Sequence, residues 1–197
     1  SPDFVCPTPP RYEVGDVLLT FLGSRDDSDA YYTVALSYGA KSLTAPRRAV
    51  YEERLEDLAE IQALADAERR LDAETEWLVA CAEHSATLDE ALIDLDRSPG
   101  ASLMKAAEPD FVARLDAAQQ QRLADVLRRM SAVSRSDARA LMSVLARASG
   151  HRSLGRHLTE LDAIDWRDPQ RAVRRQRVVA AFLEDWDARG DELGVGR

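Results

Sequence analysis

The sequence is poor in the residues that mark recognisable chemistry. Cys6 and Cys81 are the two cysteines in 197 residues. At that separation they form neither a metal motif nor a redox motif. The histidines are also few: His84, His151 and His157. The last two do not fall at the spacing of three or four that shares a helix face, and none is spaced as in a zinc motif. Phosphate-loop and dinucleotide fingerprints are missing, as is the Gly-x-Ser-x-Gly elbow. Ser153, in Gly150-His151-Arg152-Ser153-Leu154-Gly155, has no indicated acid partner and reads as a helix start. Asp26, Asp27 and Asp29 form an acidic loop without the glycine and final glutamate of a calcium loop. No apolar run approaches the roughly 20 residues of a membrane span. The sequence therefore predicts no catalytic residue, no metal and no cofactor.

Lysine is nearly absent too. Of 26 basic residues, Lys41 and Lys105 alone are lysine. That bias is what a GC-rich genome produces, and arginine is also the better partner for a carboxylate. The net charge of −9 opposes a nucleic-acid role, because phosphate contact needs a basic footprint. The charge is unevenly placed. Residues 51–100 hold 15 acidic and 4 basic side chains, whereas residues 101–150 hold 5 acidic and 8 basic. Such a distribution is either a set of solvated helix faces or an acidic surface that meets a basic partner, including the basic half of a second copy.

What is present is an amphipathic chain with one change of period. The hydrophobic share of 45% and charged share of 31% are those of a globular protein with a real core. Before Pro46 the pattern is strand-like, with Val17–Leu22 and Tyr31–Leu36 separated by a polar loop over residues 23–29. After Pro46 almost everything has helical spacing. Residues 1–45 are expected to form a β-hairpin segment and residues 46–197 an α-helical domain. A lone hairpin is marginal in water. It must either pack on the helices or find partner strands elsewhere.

The first helix is expected from Pro46, with Tyr51, Leu55, Leu58, Ile61 and Leu64 as its apolar stripe. Its other face carries Glu52, Glu53, Glu56, Asp57 and Glu60. Asp72 is a candidate cap for a second helix through Trp77, Leu78 and Cys81, where Cys81 is expected as a buried thiol or, in an oxidising compartment, bridged to Cys6. Thr87 and Glu90 form a capping-box pattern, and Asp116 and Gln119 another. Ser136 is the expected cap of a helix that Gly150 ends. A shorter helix follows over Ser153–Ile164. Asp168-Pro169 opens the last helix, which Gly190 is expected to stop. His84 is expected to place its imidazole on the last carbonyls of its helix. Trp77, Trp166 and Trp186 are expected as core or half-buried anchors. The fold class read from this pattern is mainly α: an irregular antiparallel bundle or a HEAT-like array, with a small N-terminal hairpin.

Tyr12-Glu13-Val14-Gly15-Asp16-Val17-Leu18-Leu19-Thr20-Phe21-Leu22, followed by Tyr32-Thr33-Val34-Ala35-Leu36-Ser37-Tyr38-Gly39, resembles the later strands of bacterial netrin-like (TIMP-like) barrel domains. Cys6 stands where such chains often carry a cysteine before this strand. Glu76-Trp77-Leu78-Val79-Ala80-Cys81-Ala82-Glu83 is similar to a tryptophan-containing helix that follows these barrels in exported proteins. The resemblance implies a periplasmic or secreted protein, with a cytoplasmic location as the alternative, and a role in interaction. Its early strands and N-terminal cysteine motif are not matched here, so protease inhibition is not carried over. A barrel of this kind needs about five strands to close. The resemblance therefore implies a hairpin completed by something else, or a piece of a longer protein.

These readings converge on a non-enzymatic interaction protein that uses charged helix faces, with a protein partner or a second copy as its target. The alternatives are a hydrolase of an unfamiliar helical class and an assembly subunit whose hairpin adds to a partner's sheet. Candidate contact residues are Arg171, Arg174 and Arg175, on one face of the last helix, and Glu53, Glu56 and Glu60 on the first. Pairing of the arginines with the acidic surface of residues 51–100 is the competing explanation for that cluster.

Overall fold

The computed structural model describes residues 14–20, 22–25, 28–33, 40–96, 109–130, 135–165 and 167–192. The fold is mainly α with a small N-terminal β-hairpin. The chain forms two compact units, Ser1–Glu53 and Arg54–Arg197, and the division falls inside the first helix.

The first unit holds four short strands, β1 (Leu18–Thr20), β2 (Leu22–Arg25), β3 (Ser28–Thr33) and β4 (Ala40–Ser42). They pair antiparallel and nested, β2 with β3 and β1 with β4. Leu22 faces Thr33 in the inner pair, and Leu18 faces Ser42 in the outer one. The Leu43 amide extends the outer ladder by donating to the Val17 carbonyl at 2.8 Å. Gly15, with φ of 105°, makes the turn before β1. The strands depart from expectation in two ways. Gly23-Ser24-Arg25 pairs instead of looping, with a register irregularity at Ser24/Arg25. Ala40-Lys41-Ser42 forms a strand that its composition does not announce, because cross-strand pairing overrides weak intrinsic preference. Val34–Gly39 lies outside the described residues, as do Cys6, Asp26 and Asp27.

Seven α-helices follow among the described residues: α1 (Ala45–Gln62), α2 (Ala67–Ala82), α3 (Leu88–Leu95), α4 (Ala117–Arg129), α5 (Arg135–Ser149), α6 (Gly155–Asp162) and α7 (Arg171–Glu192). Local chemistry explains most of the boundaries. Asp66, not Asp72, caps α2 by accepting from the Arg69 amide at 2.9 Å. Asp72 lies nearly two turns further in and pairs with Arg114 instead. The capping box at α4 forms as expected, with Asp116 and Gln119 answering each other's amides. The one at α3 does not. Thr87 Oγ1 turns back to donate to the Cys81 carbonyl at the end of α2 at 2.7 Å, an acceptor it shares with the His84 amide at 3.3 Å.

Ser136 lies inside α5 and bonds Asp137, because the helix already starts at Arg135. Gly150 ends α5 in the left-handed region, at φ of 67°. The segment from Ser153 divides into a 3-10 turn (Arg152–Leu154) and α6. Asp168 accepts from the Gln170 amide at 2.8 Å in the turn ahead of α7, so Pro169 lies two residues before the helix rather than at its first position. That helix runs through Gly190 to Glu192, since Gly190 does not adopt the positive φ that would turn the chain away.

The core of the second unit is built around α5. Ala138, Leu141, Met142, Val144 and Leu145 have at most 1% of their surface exposed. A helix buried to this degree must be covered on several sides, and α5 packs on α3, α4, α6 and α7. In a linear array each repeat would meet only its neighbours. The unit is therefore an irregular bundle. The apolar positions of α4 and α7 also point inward: Leu123, Val126 and Leu127 are buried, as are Phe182 and Trp186.

Candidate functional site

α1 departs most from its expected role. Of its apolar stripe, Tyr51 alone is buried, with Lys41 set against its ring and hydroxyl. Leu55 is 39% exposed, and Leu58, Ile61 and Leu64 are half-buried. Within the second unit, the last turns of α1 meet α2 through a side-chain clasp. Trp77 Nε1 donates to the Arg54 carbonyl at 2.8 Å, and Arg70 Nη1 donates to the Leu64 carbonyl at 3.2 Å. These bonds hold the two helices together while leaving an open groove of about 440 Å³ between them. Ile61, Leu64, Ala73, Trp77 and Ala80 supply apolar walls, and Arg54, Asp57, Glu60 and Glu76 supply the polar edge.

The carboxylates around this groove are differently engaged. Asp57 pairs with Arg54 at 3.2 Å. Glu76 is drawn toward α4, accepting from Arg122 at 2.5 Å and from Gln119 at 2.9 Å. Glu56 and Glu60 are exposed, and their carboxylates form no ion pair among the described residues. Of Glu53, Glu56 and Glu60, only Glu60 lines the groove.

On α2, Glu68, Asp72 and Glu76 are paired within the chain by two arginines distant in sequence, Arg114 and Arg122. Arg114 reaches Glu68 at 2.9 Å and Asp72 at 2.5 Å, and Arg122 also binds Glu83 at 2.7 Å. The Arg122 hydrogen bond holds the Glu83 carboxyl below its usual range, and the pair of carboxylates raises Arg122. Arg171, Arg174 and Arg175 engage locally at the start of α7. Arg174 Nε pairs with Asp168 at 3.0 Å, Arg171 donates to the Asp168 carbonyl, and Arg175 donates to the Arg171 carbonyl. Next to them, Arg174 and Arg177 line a shallow depression between α6 and α7.

The structure also assembles a polar cluster with no spacing signal in the sequence. His157, on α6, is 2% exposed. Its Nε2 lies 2.9 Å from Asp185 Oδ2 on α7, and its Nδ1 lies 3.6 Å from Glu160 Oε2. Arg156 joins at 2.7 Å from the same Asp185 oxygen. The His157 hydrogen bond, with help from Arg156, lowers the Asp185 carboxyl from its ordinary value. Phe182 packs against the imidazole edge with ring centres 6.0 Å apart. Both ring nitrogens face carboxylates and the ring is sealed, so this arrangement joins α6 to α7 and offers no face to a substrate.

Among the described residues, His84, His151 and Cys81 are structural or open to solvent. His84 Nδ1 accepts from the Ala86 amide at 3.1 Å, contrary to the expected contact with carbonyls, because the chain turns back just beyond α2. His151 and Ser153 are exposed. Cys81 is buried, and burial pushes its thiol up to about 11. Trp166 lies outside the described residues. Among the described residues, no group of three or more His, Cys, Asp or Glu side chains could hold a metal ion, and no helix is long and apolar enough to cross a membrane. A second groove lies between α3 and α5, with Leu92, Ile93 and Ala140 among its walls and Asp89, Asp96, Asp137 and Arg139 at its edges.

Comparison with protein-family models, with curated proteins and with solved structures returned no match.

Proposed function

We propose that the chain is a non-enzymatic protein-interaction module that binds a partner through charged, amphipathic helix faces. The observation that carries this reading is the α1–α2 groove, where an indole and aliphatic walls stand beside Glu60, which forms no ion pair among the described residues. An apolar groove in water gains free energy when a complementary apolar surface fills it. The carboxylates at its edge attract a cationic flank and repel an anionic one, which supplies selectivity. Helix-in-groove recognition uses this combination of anchor side chains and flanking charge. The resemblance to netrin-like strands adds an extracytoplasmic setting to the proposal.

The test is titration of the full chain with two synthetic amphipathic helices that share leucine anchors and differ in flanks, one lysine-rich and one glutamate-rich. The expected result is saturable binding of the basic helix alone, with loss of binding in Ile61→Asp and an unchanged circular dichroism spectrum. Equal binding of both helices, or of neither, refutes the reading.

A further inference from the structure

We infer that the occupant of the α1–α2 groove is the N-terminal half of α7 from a second copy of this chain. The inference rests on the interaction-module reading and gives that module its partner. Three observations lead to it.

The first is charge. Residues 169–183 contain Arg171, Arg174, Arg175 and Arg177 and no carboxylate, whereas α1 carries Glu53, Glu56, Asp57 and Glu60 in two turns. The second is shape. α7 packs on α4, α5 and α6, yet leaves a strip of its surface uncovered. Val173 is 47% exposed, and Arg177 and Ala180 follow it at i+4 and i+7, so the three share one face. That face carries an apolar side chain for the groove walls and a guanidinium for its edge. The third is unfilled pairing. The side chains of Glu60 and Arg177 form no ion pair among the described residues, although shorter-range partners take up Asp57 and Arg174.

Groove and helix belong to the same compact unit, so every copy presents both halves of the contact. A two-fold arrangement then makes the contact twice, groove to helix and helix to groove, and closes as a dimer. Exposed ion pairs are individually weak, but a doubled set flanking an apolar anchor is selective and strongly dependent on salt.

Sedimentation equilibrium of the full chain tests this. The expected result is a reversible dimer that weakens as salt rises from about 0.1 M to about 1 M, because the screening length falls from about 10 Å to about 3 Å. Glu60→Arg and Arg177→Glu each weaken the dimer by about tenfold or more, since each puts like charges into both contacts. Mixing the two variants, or combining them in one chain, restores it. Both positions are exposed, so neither change disturbs the core. A dimer indifferent to both reversals overturns the inference. A chain that stays monomeric but binds the basic helix overturns the second copy and leaves the interaction reading standing. A monomer that binds neither overturns both.

Discussion

Replacing Phe182 with alanine tests whether the bundle is held by α7 docking or by helix preference along α7. Phe182 is fully buried, between the His157 ring at 6.0 Å and the Trp186 ring stacked at 6.5 Å. Truncating a buried phenylalanine removes its transfer free energy and leaves a cavity, together about 4 kcal/mol. With a urea slope of about 2 kcal/mol per molar, the unfolding midpoint should fall by about 2 M. That is a large share of the roughly 5–15 kcal/mol typical of a domain.

Phe182→Leu keeps most of the volume and loses the ring contacts, so it should cost only about 1 kcal/mol. Val173→Ala on the same helix, measured at a concentration low enough to keep the chain monomeric, is the control. Its side chain is 47% exposed, and alanine has the better helix preference, so stability should change by less than about 0.5 kcal/mol. The measurement is urea denaturation followed by far-UV circular dichroism, with slopes compared across the variants. A loss below about 1 kcal/mol for Phe182→Ala, or equal effects at positions 182 and 173, would refute the placement of α7 against α6.

Asp185 should make stability pH-dependent in acid. Its folded-state value is lowered by His157 and Arg156, so its contribution is whole above its ordinary value of 3.8 and is lost as pH falls through the lowered one. Asp185→Asn should flatten that part of the acid limb in urea midpoints taken between about pH 5 and pH 2, and an unchanged limb would count against the cluster. In a Cys6→Ser variant, Cys81 should resist a thiol reagent at neutral pH until the chain opens, because the thiol is buried and pushed up to about 11. Labelling at the rate of an unfolded control would contradict its burial. Arg122→Met should cost about 1 kcal/mol through its pairs with Glu76 and Glu83, both about a third or more exposed, and the difference from the parent should shrink at high salt.

The elements that could be read from sequence are those whose signal is local. The change of period at Pro46, the capping box at Asp116, the stop at Gly150 and the turn at Asp168 each rest on groups within one turn of each other. Errors arose where a group had a better partner farther away. Thr87 gave up its box for the Cys81 carbonyl, and Asp72 left the cap to Asp66 in order to meet Arg114, 42 residues on. β4 was invisible for the same reason, since its order comes from β1 rather than from its own side chains. For the candidate site, the acidic character of α1 and the arginine cluster of α7 were legible as composition. The groove was not, because an apolar stripe looks the same in sequence whether a neighbour covers it or leaves it open.

By itself the sequence determined the mainly helical class, the hairpin before it, most helix starts and the polarisation of charge, since these follow from spacing and from backbone chemistry over a few residues. Tertiary structure decided what those helices do with their faces. It set α5 at the centre, sealed His157 against Asp185 from a helix 28 residues away, and spent Arg114 and Arg122 on α2. It also left Glu60 without an ion pair among the described residues, beside an open groove. The reason is physical: burial and ion pairing are long-range properties of an arrangement, and a periodic pattern carries no record of which neighbour will arrive.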